Sequence, residues 1–313
     1  MAGRLCIVSL SFKKGEPMAL KDEELMQIIV TADNAAFIDG VAPKGRVFPV
    51  IQSVMRQLGH ESYQFAGVNE NPLVKRIEEL HSSMYRSKDL AIGGVHGGVY
   101  MFRDVFIQIS VPLIYGTVEL DILRLTDMSD MQKRLLAMNP AFFNQFADQF
   151  IDIFDFGAGF EGFDEARHLE ERLLPKFGLA KYQLQAAAAT LCSPFEFQGA
   201  VQSGLLAAEL TIKAGLSAAG YTDQQLKKLN HDMSNCVNAF CEVYGDADFE
   251  RMARVSGSLP KFVENRYSSE QPGRVETGEI VMKAQYIAGE VMRQLSGWSL
   301  RQRLDGVSER SYP

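Results

Sequence analysis

The sequence predicts an α+β protein, with a mixed α/β domain over residues 1–130 followed by an all-helical domain over 131–313. Two observations carry this reading. Runs rich in Val, Ile, Tyr and Gly are confined to the first half, as expected of strands and their turns. From Asp127 onward, apolar residues recur almost wholly at helical spacing, and four N-cap signals punctuate them.

In order along the chain, Arg4 to Phe12 (RLCIVSLSF) reads as a strand, stopped by Lys13-Lys14-Gly15-Glu16-Pro17. Asp22 to Ala32 has acids in its first turn and a helical pattern. Phe48 to Leu58 and Pro72 to Tyr85 are two further helices, the second with Leu73, Ile77, Leu80 and Met84 on one face. Val99 to Phe102, Val105 to Ile109 and Val118 to Ile122 read as strands, punctuated by Pro112 and Gly116.

The helical half opens at Asn139-Pro140, an N-cap with proline at the first helical position. Phe142, Phe146, Phe150 and Phe154 then form an apolar ridge, and Gly157-Ala158-Gly159 is expected to end the helix, with Gly157 to Glu165 as a linker. Ser193-Pro194-Phe195-Glu196 reads as a capping box that opens a helix through Ala218, closed by Gly220. A second box, Thr222 to Gln225, opens a helix toward Tyr244. Thr277 caps a helix from Gly278 to Ser296, stopped by Gly297, and Asp305 to Pro313 are expected to fray.

Composition excludes several function classes. With a net charge of −7 over 313 residues, a free-standing nonspecific nucleic-acid binder is not expected, because such proteins displace counterions with a basic footprint. Any contact with RNA must use a local patch. The cysteines Cys6, Cys192, Cys236 and Cys241 contain no paired C-x-x-C, so neither structural zinc nor any other metal or cofactor is expected. Reduced thiols, no secretory leader and no apolar stretch of about 18 residues predict a cytoplasmic protein without a membrane span.

Two helical stretches carry a family signature. The first contains Ala207-Ala208-Glu209-Leu210-Thr211-Ile212-Lys213-Ala214-Gly215-Leu216, and the second Leu226-Lys227-Lys228-Leu229-Asn230-His231-Asp232-Met233. Ser258 to Tyr267 follows, with Pro260 and Arg266-Tyr267. Together, over roughly residues 180 to 300, these resemble the HEPN family of helical bundles. The resemblance implies structural roles for Glu209, Lys213, His231 and Asp232, and a homodimer formed through the bundle. Many HEPN proteins are ribonucleases whose late helix carries an arginine followed a short span later by a histidine. No histidine follows His231 here, and the spacing recurs only at Arg76 and His81, outside the matched segment. The resemblance therefore implies a non-catalytic member, an adaptor or binding module with an RNA or protein partner. Arg254, Lys261 and Arg266 are the candidate binding residues, on a segment where acids such as Glu264 and Glu270 are interspersed.

Three other constellations could carry chemistry. Gly93 to Gly98 (GGVHGG) would let backbone N–H groups approach an anion, with His96 as acid or base and Arg103 and Asp104 as its partners; a tight turn or bulge is the plainer reading. Glu119 and Asp121 after Gly116-Thr117 could hold a divalent cation, but lack the Gly-Ser and helix that nucleotidyltransferases place before their paired aspartates. Asp148, Asp152 and Asp155 lie on one helical face near His168 in sequence, which is expected to be a solvated acidic face. The resulting expectation is a binding or adaptor protein. The alternatives are an enzyme acting on a small anionic substrate through His96, and a structural subunit of an assembly.

Overall fold

The computed structural model describes residues 20–60, 62–64, 71–91, 94–114, 118–167, 174–304 and 309–313. The strand expected over Arg4 to Phe12 lies outside them, as do Gly93, Gly116, Thr117 and His168. Among the described residues the protein is mostly helical with one two-stranded antiparallel sheet, an α+β composition. It divides into two compact units, Met1–Ile92 and Gly93–Pro313, so the boundary falls well before residue 130.

In the first unit the described elements are helices. Helix α1 (Asp22–Ile38) has Asp22, Glu23 and Glu24 in its first turn, where the helix dipole favours negative charge. Helix α2 (Pro43–Gln57) begins on Pro43, earlier than its apolar pattern indicated. Helix α3 (Pro72–Ser83) is capped by Asn71, whose Oδ1 accepts from Leu73 N at 2.9 Å, and a single turn, α4 (Ser87–Leu90), follows. Leu25, Ile29, Val50, Ile51, Val54, Met55, Val74 and Ile77 form the core.

The second unit begins with the hairpin of β1 (His96–Phe102) and β2 (Val105–Val111), in register from Phe102 opposite Val105 to His96 opposite Val111. Arg103, at φ 61°, makes the tight turn. Residues Val118 to Ile122 do not form the expected third strand; they lead into a 3-10 turn at Ile122–Leu125. The helices are α5 (Asp130–Ala137), α6 (Pro140–Arg167), α7 (Leu174–Leu191), α8 (Gly199–Ala218), α9 (Asp223–Lys228), α10 (Met233–Val243), α11 (Phe249–Gly257), α12 (Phe262–Tyr267) and α13 (Arg274–Ser296). The hairpin packs on α6, α7 and α13, which is why it belongs with the helical body and not with a separate N-terminal domain.

Several expected boundaries move for packing reasons. Asn139 caps α6 as anticipated, accepting from Ala141 N and Phe142 N, and the phenylalanine ridge runs ring against ring from Phe143 to Phe154. Gly157 and Gly159 do not end α6. A Cβ at Gly157 would lie 2.7 Å from His96 Cβ, and one at Gly159 would lie 2.5 Å from Met292 Cγ, so these glycines admit neighbours and the helix runs through the expected linker. Ser193 makes a local turn, its Oγ accepting from Phe195 N, but α8 starts only at Gly199. The Thr222 box does cap a helix, though a short one, because Asn230 at φ 52° breaks the expected continuation into α9 and α10. Gly297 closes α13 at φ 63°, as its position indicated.

Within the Gly93–Gly98 run, Gly94 and Gly98 are likewise steric, the first because a Cβ there would meet the Val111 backbone. Gly97 and Gly98 lie inside β1, and a Cβ at Gly98 would stand 2.7 Å from both Gln285 Oε1 and Ile153 Cδ1. That close approach lets Gln285 of α13 act as a further strand. Its Oε1 accepts from Val99 N and its Nε2 donates to Val99 O, both at 2.8 Å, satisfying backbone groups on the outer edge of β1.

Helices α6 and α13 cross where a Cβ at Gly289 would meet the Asp152 carbonyl oxygen at 2.7 Å. Backbone cannot yield there, so Gly289→Ala is expected to cost about 1–3 kcal/mol and lower Tm. Gly178→Ala, at a site in α7 with nothing within 4 Å, is expected to raise stability by about 0.5–1 kcal/mol. Parallel denaturant titrations of the two variants check the contrast.

Candidate functional site

The His96, Arg103 and Asp104 constellation does not assemble. His96 opens β1 while Arg103 and Asp104 form the turn at its far end, about 20 Å away at roughly 3.3 Å per strand residue. The His96 ring is 2% exposed and packs edge-on against Phe156 at 5.0 Å, and neither ring nitrogen has a hydrogen-bond partner. Burial, reinforced by the Lys181 charge, pushes its pKa down to about 3. Arg103 lies over the Phe102 ring, and the Asp104 carbonyl accepts from Arg274 Nε at 2.7 Å. Arg76 and His81 also part company: Arg76 donates to Asp22, whereas His81 is buried against Asp33 at 3.0 Å.

Glu209, Lys213 and His231, by contrast, converge. Glu209 is buried on α8, accepts from Lys213 Nζ one turn on at 2.6 Å, and bonds His231 Nδ1 at 2.9 Å. Lys213 also donates to the carbonyl of Asn230, the left-handed residue between α9 and α10. Asp232 caps α10, its Oδ1 accepting from Asn235 N at 3.0 Å. The imidazole of His231 faces Phe262 at 5.5 Å, which ties the start of α12 to the same junction. Of the basic candidates, Arg254 donates to the Pro313 carbonyl at 2.9 Å, Lys261 pairs with Glu264, and Arg266 lies beside the Tyr267 ring.

A second polar centre differs from the sequence expectation. Asp148, Asp152 and Asp155 are not a solvated face; Asp152 and Asp155 are 0% exposed and Asp148 nearly so. Arg293 of α13 donates Nη1 to Asp152 and Asp155 at 3.0 and 2.9 Å, and Nε and Nη2 to Glu290. Arg310 bonds Asp152 through both terminal nitrogens, and Arg301 bonds Asp148. Asp148 Oδ2 also accepts from Ser311 N, Ser311 Oγ and Tyr312 N, while Asp155 Oδ1 accepts from Leu300 N at 2.8 Å. The 309–313 segment is therefore held down, not frayed. No spacing rule could pair α6 with arginines well over a hundred positions later. The available hint was that α6 carries phenylalanines on the face opposite its aspartates, so a buried α6 must bury both.

Beside this network lies a cavity of about 170 Å³, lined by Arg251, Tyr286, Glu290, Arg293, Arg301 and Arg310 among others. Burial raises Asp152 to about 6 against the opposing pull of Arg310 and Arg293, and it raises Asp155 as well. Glu290 is lowered: burial would raise it, but Arg293 and the Gln294 amide outweigh that. Burial lifts the Cys236 and Cys241 thiols to about 11, so neither is a ready nucleophile. Among the described residues no cluster of His, Cys, Asp and Glu is arranged to hold a metal ion, and no helix is long and apolar enough to cross a membrane.

Arg293→Leu would leave three buried carboxylates short of their shared cation. A loss of about 3–5 kcal/mol is expected, measured by urea unfolding at neutral pH. His96 gives a pH signature. Its folded pKa is depressed and its unfolded value is 6.5, so its contribution is complete above pH 6.5 and lost as pH falls toward 3. Asp152, raised in the folded state, works in the opposite sense between 3.8 and about 6. The stability of wild type relative to His96→Leu isolates the histidine and is expected to fall steadily as pH falls from about 6.5 to 3.

Compared with protein-family models, with curated proteins and with solved structures, the chain matches none.

Proposed function

We propose that this chain is a binding or adaptor protein without catalytic activity of its own, in which a HEPN-like bundle presents α12 to a protein partner. The observation that carries the reading is how α12 is mounted. Its inner side is fixed to α8 by Gln202 on Asn265 and to the Glu209–Lys213–His231 junction by Phe262 under the imidazole. Its other side leaves Lys261, Val263, Arg266 and Tyr267 exposed, with Tyr267 at 79%. A firm mount under an exposed tyrosine and arginine suits macromolecular contact, since these residue types are enriched at interfaces and among their hot spots.

The chemistry of the strip favours protein over RNA. Lys261 is already paired with Glu264, Arg254 is engaged by a backbone carbonyl, and the chain carries a net charge of −7. Little uncompensated positive charge remains for a phosphate backbone. A second copy paired through the bundle, as the family resemblance implies, belongs to the same proposal. The enzyme reading centred on His96 draws no support from a ring sealed in the core and set a strand's length from Arg103.

The test is a double substitution, Arg266→Glu with Tyr267→Ala, compared with wild type by quantitative affinity purification and by light scattering. Specific protein partners are expected to fall at least about tenfold while Tm and the far-ultraviolet spectrum stay unchanged, because truncating interface anchors costs on the order of 2 kcal/mol each. An unchanged partner profile, or RNA as the component lost, overturns the protein-adaptor reading.

A further inference from the structure

We propose that the arginine-walled cavity between α6, α11, α13 and the 309–313 segment is a binding site for a small oxyanion, either a free inorganic ion or the phosphate of a small ester. The inference is independent of α12 and its partner. It begins with a count of donors and acceptors. Asp152 accepts four hydrogen bonds, from Arg293, twice from Arg310, and from Gln149. Asp148 also accepts four, from Arg301, Ser311 N, Ser311 Oγ and Tyr312 N. A carboxylate has about four lone-pair sites, so these two aspartates behind the cavity wall are filled, while Glu290 and Asp248 on the wall are engaged by Arg293 and Gln294 and by Arg251.

The donors are not. Each guanidinium carries about five N–H groups. Arg251 donates Nε to Asp248 and Nη1 to the Pro313 carbonyl, and among the described residues its Nη2 donates to no acceptor. Arg310 uses Nη1 and Nη2, and its Nε likewise donates to none. Tyr286, which lines the cavity and is 1% exposed, has a hydroxyl without a hydrogen-bond partner, and its ring is covered by the Arg310 guanidinium at 4.9 Å. A cavity whose lining carries four arginines against two carboxylates, Asp248 and Glu290, with N–H and O–H donors to spare, favours a ligand that is all acceptor, and arginine forks match the geometry of oxyanions.

Size and charge narrow the class. About 170 Å³ is the volume of roughly five to six waters, enough for a tetrahedral oxyanion with a few attached atoms but not for a nucleotide. Four arginines (Arg251, Arg293, Arg301, Arg310) face five carboxylates (Asp148, Asp152, Asp155, Asp248, Glu290), a balance of 4 − 5 = −1 when all are ionised. An added anion therefore brings a proton with it. Asp152, which meets both Arg293 and Arg310 and titrates near 6, is the carboxylate placed to take it. Oxyanion affinity should then rise as pH falls through that value.

The probe is sulfate, whose charge is constant over the working pH range, titrated calorimetrically into the full chain at fixed ionic strength with chloride as the reference salt. Saturable one-to-one binding is expected, tighter at about pH 5.5 than at about pH 7.5, with Tm raised by about 3 °C in roughly 10 mM sulfate. Arg251→Gln and Tyr286→Phe, which leave the Arg293–Asp152–Asp155 contacts in place, should each weaken it at least about fivefold. Inorganic phosphate and glycerol 3-phosphate distinguish the sources: equal affinity indicates a free ion, and tighter binding of the ester indicates a phosphomonoester. Sulfate that acts no differently from chloride overturns the proposal. So does saturable binding that neither substitution weakens, or affinity that does not change with pH.

Discussion

The second unit is organised around one buried carboxylate, Asp152. It sits at the crossing of the two longest helices, where Gly289 lets the α13 backbone touch its own main chain, and it joins hydrogen-bond donors from three places in the sequence. Arg293 comes from α13, Arg310 from the last residues, and Gln149 from its own helix. Gln149 passes the connection to Gln285, which hydrogen-bonds the backbone of β1 at Val99. A single polar thread thus runs from the hairpin edge through two helices to the chain's final segment. Each member satisfies the next, the condition under which buried polar groups are tolerated at all.

That arrangement explains features that otherwise look unrelated. Gly98 of β1 lets Gln285 and Ile153 come within contact of the strand, and Gly157 lets His96 be sealed beside Phe156. A histidine held neutral at a buried strand end and an aspartate held between two arginines respond to acid in opposite senses, which makes the second unit's stability depend on pH through packing rather than through its surface. The same close fit leaves surplus guanidinium donors on one side of the network, where the cavity lies.

The first unit has its own buried polar centre. Asp33 takes hydrogen bonds from His81 at 3.0 Å and from Tyr85 at 2.7 Å, with Arg46 bonding the Tyr85 hydroxyl at 2.9 Å and the Val41 carbonyl. Together these hold the Asp33 carboxyl below its ordinary range despite its burial. Both units thus use an aspartate with cationic and hydrogen-bonding partners as an internal tie. The Glu209–Lys213–His231 junction is a third such tie, and it differs in lying at the base of an exposed element, α12.

Local chemistry in the sequence determined most of the helical segments, where Asn139 and Thr222 cap them, where Gly297 stops one, and that Val99 to Phe102 and Val105 to Ile109 are strands. Each depends on residues within a turn or two of one another, so short-range pattern suffices. The convergence of Glu209, Lys213 and His231 was also legible, because a helix repeat and a nearby turn bring them together. Tertiary structure alone decided that the hairpin belongs to the second unit, that three aspartates on α6 are buried, and that Arg310 reaches Asp152. An aspartate on a helix reads the same whether it faces water or an arginine more than a hundred residues away. Only the crossing of α6 and α13 says which.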